Sequence, residues 1–244
     1  MGRFSPLKPI SMSYGPETAR HYEAYRPPLH SKILERALPE GQQFESALDI
    51  GCGVGHSSTA LWEHAVHVTG QEINMSMMRE AEHHTSGNLH FTNRSLDELI
   101  EEYRGEFDLI TFAGSLFYQD PAKVWSQLQV LAAAQVHICV YDFDVQLSSV
   151  FESLGLIMPE GDYNHRINFD GQDLKGYESS GLREFTLSFQ CTAKELAHLL
   201  FSVDEWHDLF VPNEFEEFVK LIVSSIGATT ELKANCFYTV YSKY

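Results

Sequence analysis

ALDIGCGVGHSS, residues 47–58, is the stretch on which the reading of this chain turns. A short apolar run, SALDI (46–50), stops abruptly at Gly51, and HSSTALWEHA (56–65) follows with the composition of a helix. Gly51, Gly53 and Gly55 therefore fall in a tight turn between a strand and a helix. Without Cβ atoms the backbone can bend sharply and a ligand can approach to contact distance. The first N–H groups of the helix point at such a ligand. The spacing is not the dinucleotide pattern G-x-G-x-x-G, because His56 stands where the third glycine belongs. A side chain there would crowd the helix–strand packing of a pyrophosphate site, so the loop predicts a smaller ligand lying over it.

Outward from the loop, strand and helix alternate. HVTGQEI (67–73) reads as a strand and MSMMREAEHH (75–84) as a helix; NLHFTNR (88–94) is a strand and LDELIEEYRG (96–105) a helix closed by Gly105. FDLITFAG (107–114) is a fourth strand, DPAKVWSQLQVLA (120–132) a helix capped by Asp120 with Pro121 in its first turn, and VHICVYDFD (136–144) a fifth strand. The middle strands are apolar through most of their length, as strands covered by helices on both faces must be, which predicts an α/β fold with a parallel sheet. Ligands of such sheets bind beyond the carboxyl ends of the strands. Glu72 ends the second strand there, 17 residues after Gly55, where one carboxylate can accept both ribose hydroxyls of a nucleoside.

The flanks are less regular. Residues 1–16 read as a flexible lead, and 17–40 as helices broken at Pro27-Pro28. An irregular insertion spans about 145–180. Beyond it come a strand (181–191), a helix (192–202) opened by the capping box Thr192–Glu195, a helix from Asn213 to near Gly227, and a closing strand (234–244). Residues 17–244 make one domain.

Composition narrows the function. Lys and Arg number 17 against 34 Asp and Glu, a formal net charge of -17 that repels nucleic acid and anionic lipid. The four cysteines, Cys52, Cys139, Cys191 and Cys236, are scattered, so buried free thiols in a reducing compartment are expected. No apolar signal region and no 18-residue apolar stretch is present. The expectation is a cytoplasmic protein, monomer or homodimer, with no nucleic-acid or membrane partner. His64/His67 and His83/His84 lack acids at ligand spacing, so no metal site is expected.

The ordered motifs resemble those of class I S-adenosylmethionine-dependent methyltransferases, and most nearly the small-molecule branch similar to trans-aconitate methyltransferase. The family's acid-x-G-x-G-x-G appears as Asp49-Ile50-Gly51-Cys52-Gly53-Val54-Gly55, its ribose-binding acid as Glu72, its adenine segment as Asn93-Arg94-Ser95-Leu96, and its fourth segment as Phe107-Asp108-Leu109-Ile110 leading to Ala113-Gly114. Tyr22-x-x-Tyr25-Arg26-Pro27 resembles the family's lid over the cofactor. Two departures stand out. Gln71 replaces the usual apolar residue before the acid, and Ser95 replaces the common Asp. The resemblance covers residues 17–144 and the closing strands. It implies a Rossmann-like, mostly parallel seven-stranded sheet with helices on both faces and an antiparallel last strand. It also implies S-adenosylmethionine as cofactor, held by Tyr25, Arg26, Asp49, Gly51, Cys52, Gly53, Gly55, Glu72, Ile73, Ser95, Leu96, Ala113 and Gly114.

Methyl transfer from a sulfonium is a displacement that needs alignment and exclusion of water more than an obligatory catalytic group. A base is needed only for a neutral hydroxyl, a carbon acid or a protonated amine; a carboxylate acceptor needs a cationic clamp instead. His21, Tyr118 and Asp142 are the candidates for positioning or base roles, and Tyr22, Phe117, Tyr141, His165, Arg166 and Trp206, with His207 beside it, for the acceptor pocket. Arg166 could clamp a carboxylate. The favoured function is transfer to a small molecule. The competing readings are a protein or tRNA methyltransferase and a cofactor-binding regulatory module without transfer activity.

Overall fold

The computed structural model describes residues 14–203, 206–210 and 214–244, the side chains of His207 and Asp208 excepted. Its sheet is built around β1 (Phe44–Ile50), which lies between two parallel neighbours, β2 (Ala65–Gln71) and β4 (Phe107–Ala113). β3 (Leu89–Thr92) extends the sheet beyond β2, and β5 (Ala132–Val145) beyond β4, both again parallel. The direction then reverses. β8 (Thr229–Lys243) runs antiparallel along β5. β6 (Glu178–Ser179) and β7 (Arg183–Thr192) share the far edge of β8, against 241–242 and 229–238 respectively. Two strands on one edge give seven ranks, in the order β3-β2-β1-β4-β5-β8 and then β6 with β7. This is the expected Rossmann-like sheet, with an antiparallel strand closing the chain.

Successive strand residues point to opposite faces, so the apolar strands feed two cores. Ala47, Leu109 and Cys139 face α2 (His30–Ala37), α3 (His56–Leu61), α8 (Ala193–Phe201) and α10 (Phe215–Ser225), packing with Ile33, Leu61, Leu196 and Phe218. Leu48, Ile110 and Ile138 face α5 (Leu96–Glu102) and α6 (Pro121–Leu131), packing with Leu99, Leu128 and Phe169. Helices thus cover both faces, which is why these strands do not alternate apolar and polar residues.

The helix ends follow local chemistry. The Asp120 carboxylate accepts from the amides of Ala122 and Lys123, with Pro121 opening α6. Thr192 and Glu195 form the expected box at the start of α8. Ser95 and Glu98 form a second such box on α5, and Asn74 caps α4 (Met75–Ala81). Both were spelled in the sequence and went unread. The break at Pro27-Pro28 separates α1 (Pro16–Ala24) from α2.

Several expectations need correction. Pro16 is already helical, so the N-terminal lead ends sooner than expected; residues 1–13 lie outside the described residues. The stretch 145–180 holds a short helix, α7 (Ser148–Ser153), whose Val150 and Phe151 enter the first core, and it ends in β6. A further turn of helix, α9 (His207–Phe210), was not expected. Asn213, the expected start of the last helix, lies outside the described residues; α10 begins at Phe215. All four cysteines are buried and free. Among the described residues no helix is long and apolar enough to cross a membrane, and no group of three His, Cys, Asp or Glu side chains gathers at metal-binding distance.

Candidate active site

The glycine loop leaves β1 with Gly51, Gly53 and Gly55 all at positive φ. Two of them serve different ends. A Cβ on Gly51 would stand 2.5 Å from the Cβ of Ser115, so the loop can pass the tip of β4 only without a side chain there. Gly53, at φ +58, has nothing within 4 Å of the place a Cβ would take: the space above it is open.

Three strand tips are tied together beneath that space. The amides of Gly51 and Cys52 donate to the Gln71 carbonyl at 2.8 and 3.0 Å. The Gln71 side chain accepts a further bond from the Gly51 amide at 3.2 Å and donates to the Arg94 carbonyl at 2.9 Å. Glu72 completes the arrangement. Its Oε2 accepts from the Gly53 amide at 3.0 Å and its Oε1 from the Asn74 amide at 2.6 Å. Burial pushes the Glu72 carboxyl above its ordinary value, and the amides of Asn74, Gly53 and Ile73 oppose the shift. The hydrogen bonds describe an ionised carboxylate held at the rim of the loop. Ile73 beside it is 68% exposed, an apolar surface at the edge of the cleft.

Asp49 departs from its expected place. Its side chain is fully buried and accepts hydroxyl protons from Ser57 (2.5 Å), Ser58 (2.7 Å) and Thr111 (2.8 Å). Fully buried and bonded to α3 and β4, the carboxylate positions the loop. Burial raises its pKa, and the three hydroxyls pull the other way. The Cys52 thiol is buried as well, so only the backbone of that residue can meet a ligand. Ser95 spends its hydroxyl on Glu98 at 2.8 Å, in the capping box, instead of facing an adenine. Leu96 is buried in the second core, and Ala113 is half-buried at the end of β4.

The N-terminal helices approach from the other side. Tyr22 packs beside Val54 of the loop, and the Arg26 guanidinium lies 4.0 Å over the Tyr22 ring. Nη1 of Arg26 reaches Ser202 at 3.5 Å, while its Nε is buried without a hydrogen-bond partner. His56 turns toward this lid and away from the loop, its Nε2 3.2 Å from the Tyr22 carbonyl. Tyr14, which precedes α1, stands edge-on to Tyr22, and its hydroxyl bonds to Tyr118. The lid residue Tyr25 and the positioning candidate His21 lie elsewhere. Tyr25 lies in the first core beside Cys191, and His21 faces α8, with its Nδ1 3.0 Å from that of His198 and its ring against Phe201 and Phe215. His21 lies on the face of α1 that α8 covers, and Tyr25, the extended residue that ends α1, turns toward Cys191 at the end of β7.

At the tips of β4 and β5 a second group assembles. Asp142 Oδ2 lies 2.9 Å from His165 Nδ1, and Asp144 Oδ1 lies 3.8 Å from His165 Nε2. The Tyr163 hydroxyl donates to the Gly114 carbonyl and also meets Asp142. The Tyr163 ring lies 4.4 Å from Phe117 and 5.8 Å from Tyr118. The 145–180 segment thus brings Tyr163 and His165 over β4 and β5. Three other pocket candidates sit elsewhere. Tyr141 points to the opposite face, its hydroxyl 3.1 Å from His30 Nδ1. Trp206 packs edge-on against Phe151. Arg166 forks onto Glu184, with Nε and Nη2 at 2.8 and 3.3 Å, and covers Phe237. The backbone of His207 is helical, and its side chain lies outside the described residues.

Sequence reasoning missed Tyr14, Gln71, Tyr163 and His30. Gln71 was visible as a departure from the family pattern. Tyr163 lay two residues before His165 in a segment with no periodicity to orient it.

Comparison with known proteins agrees with this architecture. Residues 47–135 match a family model described as a methyltransferase domain. No curated protein matches the chain. Among solved structures, the chain is similar to a protein from Anaeromyxobacter dehalogenans designated a type II methyltransferase, at 12% identity and TM-score 0.60, over 90% of this chain and 96% of that one. A protein from Bacillus halodurans designated a methyltransferase gives 17% identity and TM-score 0.51, over 88% and 98%. Phosphoethanolamine N-methyltransferase 2 of Haemonchus contortus gives 15% and 0.52, over 95% of this chain and 58% of that one. The strand order and the glycine loop are those of the Rossmann-like methyltransferase fold, whose cofactor is S-adenosylmethionine, and residues 47–135 match the methyltransferase-domain model.

Proposed function

We propose that this protein transfers the methyl group of S-adenosylmethionine to a small-molecule acceptor by direct displacement. Two observations carry the reading. Glu72 holds the Gly53 amide beside the open space over that residue, and Tyr22, which packs beside Val54 of the same loop, lies under an Arg26 guanidinium whose Nε is buried without a partner. A ligand with hydroxyls at one end and a carboxylate at the other would satisfy both, and the cofactor has that form.

When bound, the cofactor supplies an electrophilic methyl on sulfur. In this reading the remaining work belongs to the chain. Glu72 accepts from the ribose hydroxyls, Ile73 offers apolar surface to the adenine, and Arg26 with Tyr22 holds the methionine carboxylate. The backbone of Gly51, Gly53, Gly55, Ala113 and Gly114 lies along the cofactor. Phe117, Tyr118 and Tyr163 shield the acceptor end from water, and Asp142 with His165 orients the acceptor and takes its proton where it has one to lose.

The trans-aconitate-like branch would call for a carboxylate acceptor. Arg166, the residue that could clamp one, is engaged by Glu184, which weighs against that finer assignment. The experiment is transfer of label from methyl-labelled S-adenosylmethionine into a metabolite extract. Labelled product that disappears with Glu72→Ala supports the reading. Tight cofactor binding with no transfer into any fraction would leave only a cofactor-binding module.

A further inference from the structure

The acceptor end of the site is made of hydrogen-bond acceptors and ring faces. At the tip of β4 the Gly114 carbonyl and the Asp142 carboxylate converge on one point, now bridged by the Tyr163 hydroxyl. A Cβ on Gly114 would stand 3.0 Å from Asp142 Oδ1, so carbonyl and carboxylate are near neighbours. Asp144 adds a second carboxylate beside His165. Around this point stand the rings of Phe117, Tyr118 and Tyr163, with centroids 4.4 to 5.8 Å apart.

Arg166 and Arg26 do not face this point. Arg166 is neutralised by Glu184 in a two-pronged pair. Arg26 lies 5.8 Å from the ring of Phe143, and Phe143 projects from the face of β5 opposite to Asp142. A further polar group waits beneath. Thr239 is 1% exposed, and its hydroxyl has no hydrogen-bond partner. It lines a cavity of about 10 Å³ together with Gly114, Asp142 and His165, which is room for one water-sized group. A buried hydroxyl left unpaired in a native site calls for such a group.

A carbonyl and a carboxylate that converge on one point repel an anionic ligand and reward one rich in N–H donors. Aromatic faces attract a cation further, and the strongly acidic surface draws cations toward the protein. We infer that the acceptor is a small aliphatic amine, cationic in water, whose nitrogen takes the place of the Tyr163 hydroxyl between Gly114 and Asp142. The inference rests on the methyl-transfer reading and deepens it.

The step balances as follows. The bound ammonium gives one proton to the His165–Asp142 pair and becomes a neutral amine. Its lone pair forms the new C–N bond as the C–S bond breaks, and the bonding pair stays on sulfur. The positive charge leaves the sulfonium and ends on the N-methylated ammonium product, beside Asp142 throughout.

The test divides a metabolite extract by ion exchange into cationic, neutral and anionic pools and offers each with methyl-labelled S-adenosylmethionine. Label confined to products from the cationic pool, and stable to mild alkali, supports an N-methylated amine. Label in products from the anionic or neutral pool, or released by alkali as an ester would release it, overturns the inference and leaves methyl transfer standing. No label in any pool overturns methyl transfer itself. With a product in hand, Asp142→Asn should raise KM for the amine about 10- to 100-fold while leaving cofactor affinity unchanged, and Arg166→Ala should leave both unchanged. Should Asp142→Asn fail to fold, Asp144→Asn, at an exposed carboxylate, should still raise KM several-fold. An unchanged KM in the folded variants counts against the inference.

Discussion

Glu72 binds the amide of Gly53 with one carboxylate oxygen and the amide of Asn74 with the other, at 3.0 and 2.6 Å. A single side chain at the tip of β2 therefore joins the glycine loop after β1 to the start of α4. The acid that would grip a ribose also sets the shape of the loop beside it. Cofactor affinity and loop order should consequently fall together when it is altered.

Glu72→Ala is expected to weaken S-adenosylmethionine binding by about 1–3 kcal/mol, the cost of leaving hydroxyls and amides without their acceptor. Titration calorimetry measures this directly. Affinity equal to that of the parent would remove Glu72 from the site.

Gly51 and Gly53 should separate stability from binding. Gly51→Ala places a methyl 2.5 Å from the Ser115 side chain and should lower the melting temperature. Gly53→Val meets open space but forces a β-branched residue to φ +58 and fills the ligand's place. It should keep the circular dichroism of a folded α/β protein and lose cofactor binding. A Gly53→Val protein that binds normally would refute the loop assignment.

Gln71→Leu keeps the volume of the side chain but removes its bonds to the Gly51 amide and the Arg94 carbonyl. Buried partners are left unpaired, so a stability loss of about 1–3 kcal/mol is expected. Chemical denaturation reads it, and a midpoint equal to that of the parent would show that water replaces the amide at no cost.

His30 should make the fold sensitive to acid. Burial, with His56 and Arg26 adding repulsion, holds its pKa down to about 3, against 6.5 for the free side chain. The unfolded chain therefore takes up a proton at a pH where the folded chain does not. The contribution is fully present above pH 6.5 and is lost as pH falls toward 3. Between pH 7 and 5 the parent should lose about 1–2 kcal/mol on this account, and His30→Gln should lose correspondingly less. Denaturation midpoints at the two pH values compare them, and parallel losses in both proteins would exclude His30 as the source.

The alternation of apolar strands and helices, the abrupt glycines and the acid 17 residues on were enough to foresee the sheet and the glycine turn at its carboxyl edge. These features act locally, through backbone conformation and strand burial, and local pattern is what one sequence displays. The partners of each side chain were harder to foresee. Asp49 sits in the motif yet faces three hydroxyls in the interior. Ser95 spells a capping box that the adenine reading passed over. His21 and Tyr25 are covered by α8 and the end of β7, some 170 residues later.

Residue order alone sufficed for the βα architecture, the glycine turn and the position of Glu72, because strand period, missing Cβ atoms and distance along the chain are properties of neighbours. The group over the tips of β4 and β5 was settled by packing at long range. Tyr163 and His165 come from a segment with no periodic pattern and gain their meaning from Gly114 and Asp142, 49 and 23 residues away. Arg166 loses its promised role to Glu184, 18 residues on. Which charges remain to face a ligand depends on which pairs close first among themselves, and that depends on how β7, β8 and the 145–180 segment settle on the sheet.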